Sequence, residues 1–157
     1  VRGDINGHKV CWLGDGNNVC HSYMNAARLL DFELVVACPE GYDPSPELLA
    51  ACGNRVTIER DPAAAVKQAH LLVTDVWASM GQEAEQSERI GPLAPYQLNQ
   101  ALLDIATPDA LYMHCLPAHR DEEITAELMD ALDTVIWQEA ENRLHAQKAL
   151  MELLLSA

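Results

Sequence analysis

Four stretches place side chains able to do chemistry directly after apolar runs. His114-Cys115-Leu116-Pro117 sets a thiol beside an imidazole at the end of the run LYMHC. Such a pair serves as nucleophile, metal ligand, substrate clamp or plain packing. A nucleophile needs a paired base and an oxyanion site, which the sequence neither shows nor excludes. A metal site needs at least three ligands at sensible spacing, and Cys20-His21 and His119 do not complete one, so no metal is expected. In isolation the plain reading is a buried Cys beside a core His, with Pro117 ending the strand and freeing the carbonyls before it. After the run LLVTD, Asp75 and Ser79 in DVWASMG suit an ammonium group; against that stands a simple turn-capping role for Asp75. Gly81 permits the backbone shape of a loop that closes over a ligand. Gly14-Asp15-Gly16-Asn17-Asn18-Val19 follows KVCWL. Its two glycines invite a dinucleotide reading, but Val19 holds the third glycine position, and the second strand ends in Cys38-Pro39 with no acidic residue for a ribose. Asn17 and Asn18 either cap the next helix or hold a small anion such as a carboxylate. Glu139-Ala140-Glu141-Asn142-Arg143 opens the last helical pattern. Arg143 there offers a planar fork to a phosphate or carbonyl oxygen, or is an ordinary exposed helical Arg.

These residues need a frame. Six short apolar runs, KVCWL, ELVVAC, RVTIE, LLVTD, LYMHC and TVIW, alternate with amphipathic segments. The pattern predicts an α/β, doubly wound, Rossmann-like domain over residues 1–157, a mostly parallel sheet with helices on both faces. Helices are predicted over 19–30, 45–51, 62–69, 95–105, 125–131 and 140–154. The stretch of about 20 residues after LLVTD is too long for a plain connection. It leaves from a strand's carboxyl end, where open sheets bind ligands, and is read as a lid over residues 77–95. The last helix ends in LMELLLSA, apolar around most of its circumference, which implies a partner surface and a chain that is only part of its functional unit.

Composition narrows the partners. A chain of 157 residues, 49% hydrophobic, is the size of one domain with one core. Its formal net charge of -14 opposes nucleic acid and anionic membrane surfaces. Neither a membrane-spanning run nor a signal pattern is visible, so a cytoplasmic protein is expected. The five cysteines are scattered without a CxxC pair, and four are expected to pack as small hydrophobes.

Taken together and in order, GDGNN at 14–18, DVWASMG at 75–81, HCLP at 114–117 and ENR at 141–143 resemble the ornithine carbamoyltransferase family over nearly the whole chain. The likeness covers the ornithine-binding domain only; the family's Ser-Thr-Arg-Thr-Arg signature for carbamoyl phosphate is absent, so the carbamoyl phosphate domain lies outside this chain and the chain alone is expected to be inactive. The resemblance implies transfer of a carbamoyl group from carbamoyl phosphate to the δ-amine of L-ornithine, giving citrulline in arginine metabolism, with no cofactor. It implies that Asn18 binds the α-carboxylate, that Asp75 and Ser79 receive the α-ammonium and that Met80 contributes through its backbone. Cys115 and Leu116 then lie where the δ-amine meets the carbamoyl group, Cys115 as a clamp and not a covalent nucleophile, and Arg143 contacts carbamoyl phosphate. Family members form trimers. Aspartate carbamoyltransferases, which resemble it in fold, have Pro where Cys115 stands. Carbamoyltransferases for putrescine or acylated ornithine, a stand-alone amino-acid sensor and a nucleotide-dependent dehydrogenase are the alternatives.

Overall fold

The computed structural model describes residues 3–78, 86–132 and 134–156. Five of the apolar runs form parallel strands: β1 (Lys9–Leu13), β2 (Glu33–Ala37), β3 (Val56–Glu59), β4 (Leu71–Thr74) and β5 (Leu111–His114). They lie in the order β3-β2-β1-β4-β5. Both faces are covered, so successive side chains in a strand enter different cores. Val10 and Trp12 of β1 join Leu34 and Val36 of β2 against α1 (Asn18–Leu29) and α2 (Pro46–Cys52). Cys11, Leu13, Val35 and Leu72 face the other core, shared with α3 (Pro62–Ala65), α5 (Gln100–Leu103), α6 (Ala126–Met129) and Ile136. Each fully buried Leu or Val there stabilises the fold by about 1.5–3 kcal/mol. Four cysteines, Cys11, Cys20, Cys38 and Cys52, are buried as expected, while Cys115 is exposed.

Helix starts follow local chemistry. The side chains of Asn17, Ser45, Asp61, Asn99 and Thr125 each accept a backbone N–H at a helix N-terminus. Three expectations fail. TVIW is not a sixth strand: the Thr134 hydroxyl accepts the Ile136 N–H, and Ile136 opens α7 (Ile136–Leu155). A four-residue apolar run cannot by itself tell a buried strand from the buried first turn of a helix. The lid segment is also not plain loop, since α4 (Gln86–Leu93) lies within it. The 95–105 helix is shorter than expected. A 3-10 turn spans Ala94–Tyr96, Leu98 bridges Ile124, and Asn99 caps α5.

Candidate active site

From β1 the chain winds outward to β2 and β3, then crosses back to β4 and β5 on the other side. Between β1 and β4 the winding reverses, and in open α/β sheets the crevice outside the carboxyl ends of two such strands takes ligand. Asn17, Asp75 and Cys115 gather there.

Gly14 and Gly16 shape the first wall. Gly14 has φ 117°, which L side chains rarely adopt, and its N–H reaches the Ala37 carbonyl at 2.9 Å. A Cβ on Gly16 would lie 2.3 Å from the Pro44 nitrogen. The close approach that glycines give a pyrophosphate in dinucleotide-binding turns is made here by the chain's own 43–44 backbone. Asn17 is the cap: its Oδ1 accepts from Val19 and Cys20, at 2.9 and 3.0 Å, while its Nδ2 donates to Asp75 Oδ2 at 2.7 Å. Asn18, the first residue of α1, is exposed. The choice between capping and ligand binding is thus divided: Asn17 caps, and the Asn18 amide faces outward.

Asp75 is the centre of the crevice and is 8% exposed. Its Oδ1 accepts from the Val76 N–H at 2.8 Å and from the Cys115 thiol at 3.1 Å. A carboxylate offers about four acceptor positions, and the described residues take three of them, two on Oδ1 and one, from Asn17, on Oδ2. Ser79 and Met80 lie outside the described residues.

Cys115 is exposed, yet its sulfur is turned to Asp75. Burial of the sulfur, then the Asp75 hydrogen bond and the negative charges of Asp75 and Glu139, push the thiol up to about 12. It is therefore a neutral donor at physiological pH and not a thiolate nucleophile. Leu116, at φ 55°, donates its N–H to His114 Nδ1 at 3.0 Å and is joined to Pro117 by a cis peptide bond. Because Nδ1 accepts, the ring proton of His114 sits on Nε2 and is donated to Glu123 Oε1 at 2.9 Å. The His114 backbone N–H donates to Glu139 Oε2 at 2.9 Å. Arg143 is exposed on α7 one turn beyond Glu139 and so emerges on the side of α7 that meets β5.

The field of the crevice is negative. Burial raises Asp15 above its ordinary value, Arg89 opposes that, and Asp75 adds to it. Burial likewise raises Glu139, with the His114 N–H opposing and Asp75 adding. Such a crevice favours an amine and disfavours a dinucleotide phosphate. Arg89 of α4 pairs with Asp15, donates to the Trp77 carbonyl and stacks 4.9 Å from the Tyr42 ring, which ties the lid segment to three strand ends. Asn17 as a bridge, Glu123, Glu139 and Arg89 had no assigned role in the sequence. Glu139 stood within the noticed EAENR run, whereas nothing in HRDEE distinguishes Glu123 from Glu122.

An open parallel α/β domain with a polar, acidic crevice at its switch point has the architecture that takes a small ligand at its strand ends. The description of the family model that matches residues 6–154 is aspartate/ornithine carbamoyltransferase, Asp/Orn binding domain, and the chain belongs to that family. It is 59% identical over 155 residues to an ornithine carbamoyltransferase of Pseudomonas syringae pv. tomato, covering 99% of this chain and 51% of that protein. It is 60% identical over 154 residues to an anabolic ornithine carbamoyltransferase of Pseudomonas aeruginosa, covering 98% and 50%. Among solved structures, ornithine carbamoyltransferase from Pyrococcus furiosus superposes with a TM-score of 0.86 at 49% identity, covering 96% of this chain and 50% of that one. The chain spans about half the length of the curated relatives it matches.

Proposed function

We propose that this chain is the ornithine-binding domain of an ornithine carbamoyltransferase and that a carbamoyl phosphate domain, contributed by the other half of such an enzyme, completes the active site. The observation that carries this reading is the convergence of Asn17, Asp75 and Cys115 at the switch point in a chain 59% identical to an ornithine carbamoyltransferase. In this reading Asn18 receives the α-carboxylate of L-ornithine, Asp75 and Ser79 the α-ammonium, and Met80 adds a backbone contact. The δ-ammonium sheds a proton on binding, and the neutral amine attacks the carbamoyl carbon. The new N–C bond forms as the C–O bond to phosphate breaks, the attacking nitrogen passes its extra proton to the departing phosphate, and citrulline and phosphate leave. Cys115, a neutral donor, and Leu116 hold the reacting groups, and Arg143 balances charge on the carbamoyl phosphate. The segment carrying α4 excludes water, which protects carbamoyl phosphate from hydrolysis. The reading places the enzyme in cytoplasmic arginine metabolism, assembled as a trimer through the other domain. Among the described residues no helix is long and apolar enough to cross a membrane.

The test is citrulline formation by the chain alone and after mixing with a separately made carbamoyl phosphate domain of a relative. Activity only in the mixture is expected. No activity in either, with calorimetry still showing ornithine binding, would make the chain an amino-acid sensor instead.

A further inference from the structure

Beyond the crevice, the turn after Pro117 brings three donor atoms together. His119 Nδ1 lies 3.9 Å from Glu122 Oε2 and 3.9 Å from Glu123 Oε2, and all three atoms fall within 4.8 Å of one another. The turn is closed by the Glu122 N–H on the His119 carbonyl at 3.0 Å. Glu123 is held from behind: its Oε1 accepts from His114 Nε2 at 2.9 Å and from the His119 backbone N–H at 2.6 Å. Its second oxygen, Oε2, belongs to a fully buried side chain and has no hydrogen-bond partner.

A buried carboxylate oxygen without a donor is a costly exception in folded proteins. His114 cannot serve Oε2, because its Nε2 is already engaged with Oε1 and its Nδ1 accepts the Leu116 N–H. Oε2 has His119 Nδ1 at 3.9 Å, and that imidazole is 46% exposed and open to solvent.

We propose that His119 Nδ1, Glu122 Oε2 and Glu123 Oε2 bind a divalent transition-metal ion of the zinc class. One imidazole and two carboxylates form a mixed N/O set suited to zinc or cobalt, whereas calcium and magnesium favour oxygen throughout. A fourth position is left for water. Donor atoms around tetrahedral zinc stand about 3.3 Å apart, so the 3.9 Å separations must close by roughly 0.6 Å. His119 and Glu122, both partly exposed, can do this by side-chain rotation while Glu123 stays fixed. The hydrogen bonds on Glu123 Oε1 are the outer support that a ligating carboxylate ordinarily has. The ion takes no part in carbamoyl transfer. It sits one carboxylate away from His114 and fixes the turn that follows Cys115 and Leu116. A second group, Asp75, His114 and Cys115, also has donor atoms within 4.8 Å, but Asp75 Oδ1 already takes the thiol and His114 Nδ1 already takes the Leu116 N–H.

The full chain is titrated with Co²⁺ and followed by visible absorption and calorimetry, in parallel with Cys115→Ser, His119→Ala and Glu122→Gln. The result expected is one equivalent bound with ligand-field bands and no sulfur-to-cobalt charge transfer. Binding persists in Cys115→Ser and weakens at least about tenfold in both His119→Ala and Glu122→Gln, surface changes whose folding is checked by circular dichroism. Zn²⁺ then raises the thermal midpoint of the unsubstituted chain and not of those two variants. Three results overturn the proposal: a charge-transfer band with all binding lost in Cys115→Ser, affinity unchanged in His119→Ala and Glu122→Gln, or no binding by the folded chain.

Discussion

A thiol that donates to a carboxylate resists losing its proton. Cys115 is raised from 9.0 to about 12 by burial of its sulfur first, then by its hydrogen bond to Asp75 and by the charges of Asp75 and Glu139. The thiol is neutral when protonated, so over the range from 9 to about 12 the folded chain keeps a proton that the unfolded chain releases. The contact therefore supports the fold fully below pH 9, and that support is lost as pH rises toward 12. Alkylating reagents attack the thiolate, so the same shift is readable as reactivity. In the native chain iodoacetamide is expected to label Cys115 slowly at about pH 8, with a rate that keeps rising beyond pH 9 instead of levelling there. Asp75→Asn removes the negative charge and is expected to move the rise to lower pH. A plateau near 9 in the unsubstituted chain would show that Asp75 does not hold this thiol. Excess ornithine is expected to slow the labelling, since in the proposed function it occupies the same crevice.

At the scale of elements, the turn after β1 shows why part of the design is legible and part is not. The five strands were readable because parallel strands buried on both faces are near-continuous runs of Val, Leu and Ile bounded by turns. Asp75 and Cys115 were readable as strand-end residues, and Asn17 and Asn18 as a helix start. The division of labour between the two asparagines was not, because it depends on Asp75, which is 58 residues away in sequence from Asn17. For the same reason Glu123 went unnoticed: its role comes from a buried imidazole nine residues back. TVIW misled because its apolar residues serve a helix entry, and α4 was missed because its sequence, QSERIGPL, carries a Gly and a Pro that read as loop. Gly16 invited a dinucleotide reading that Val19 and Cys38-Pro39 already opposed, and the tolerance it provides is for Pro44. Gly16→Ala would press a methyl group against backbone that cannot rotate away. The expected cost is about 1–3 kcal/mol, seen as a thermal midpoint lowered by several degrees for a chain of this size. An unchanged midpoint would mean that the 43–44 segment can retreat from β1 without loss.

At the scale of the whole molecule, a long run of exposed apolar side chains among the described residues belongs to α7. Its 20 residues span about 30 Å, and only Ile136 at its start is buried. Leu144, Met151 and Leu155 lie 67%, 58% and 87% exposed, with Leu150, Leu153 and Leu154 beside them at 55%, 68% and 67%. Soluble chains rarely expose so continuous an apolar stretch unless something covers it. The relatives are about twice as long as this chain, so in the proposed function the cover is the carbamoyl phosphate half. Without that half, a second copy of α7 is the most apolar surface available. The chain alone is therefore expected to self-associate in sedimentation at high concentration. Leu150→Lys with Leu154→Lys, four residues apart on one helix face, should shift it toward monomer without altering its circular dichroism. Adding the complementary half should replace the self-associated species with a mixed complex, because the two compete for the same leucines. A clean monomer at high concentration would mean that water tolerates this helix as it stands, and the mixed complex would then have to be held by other surfaces.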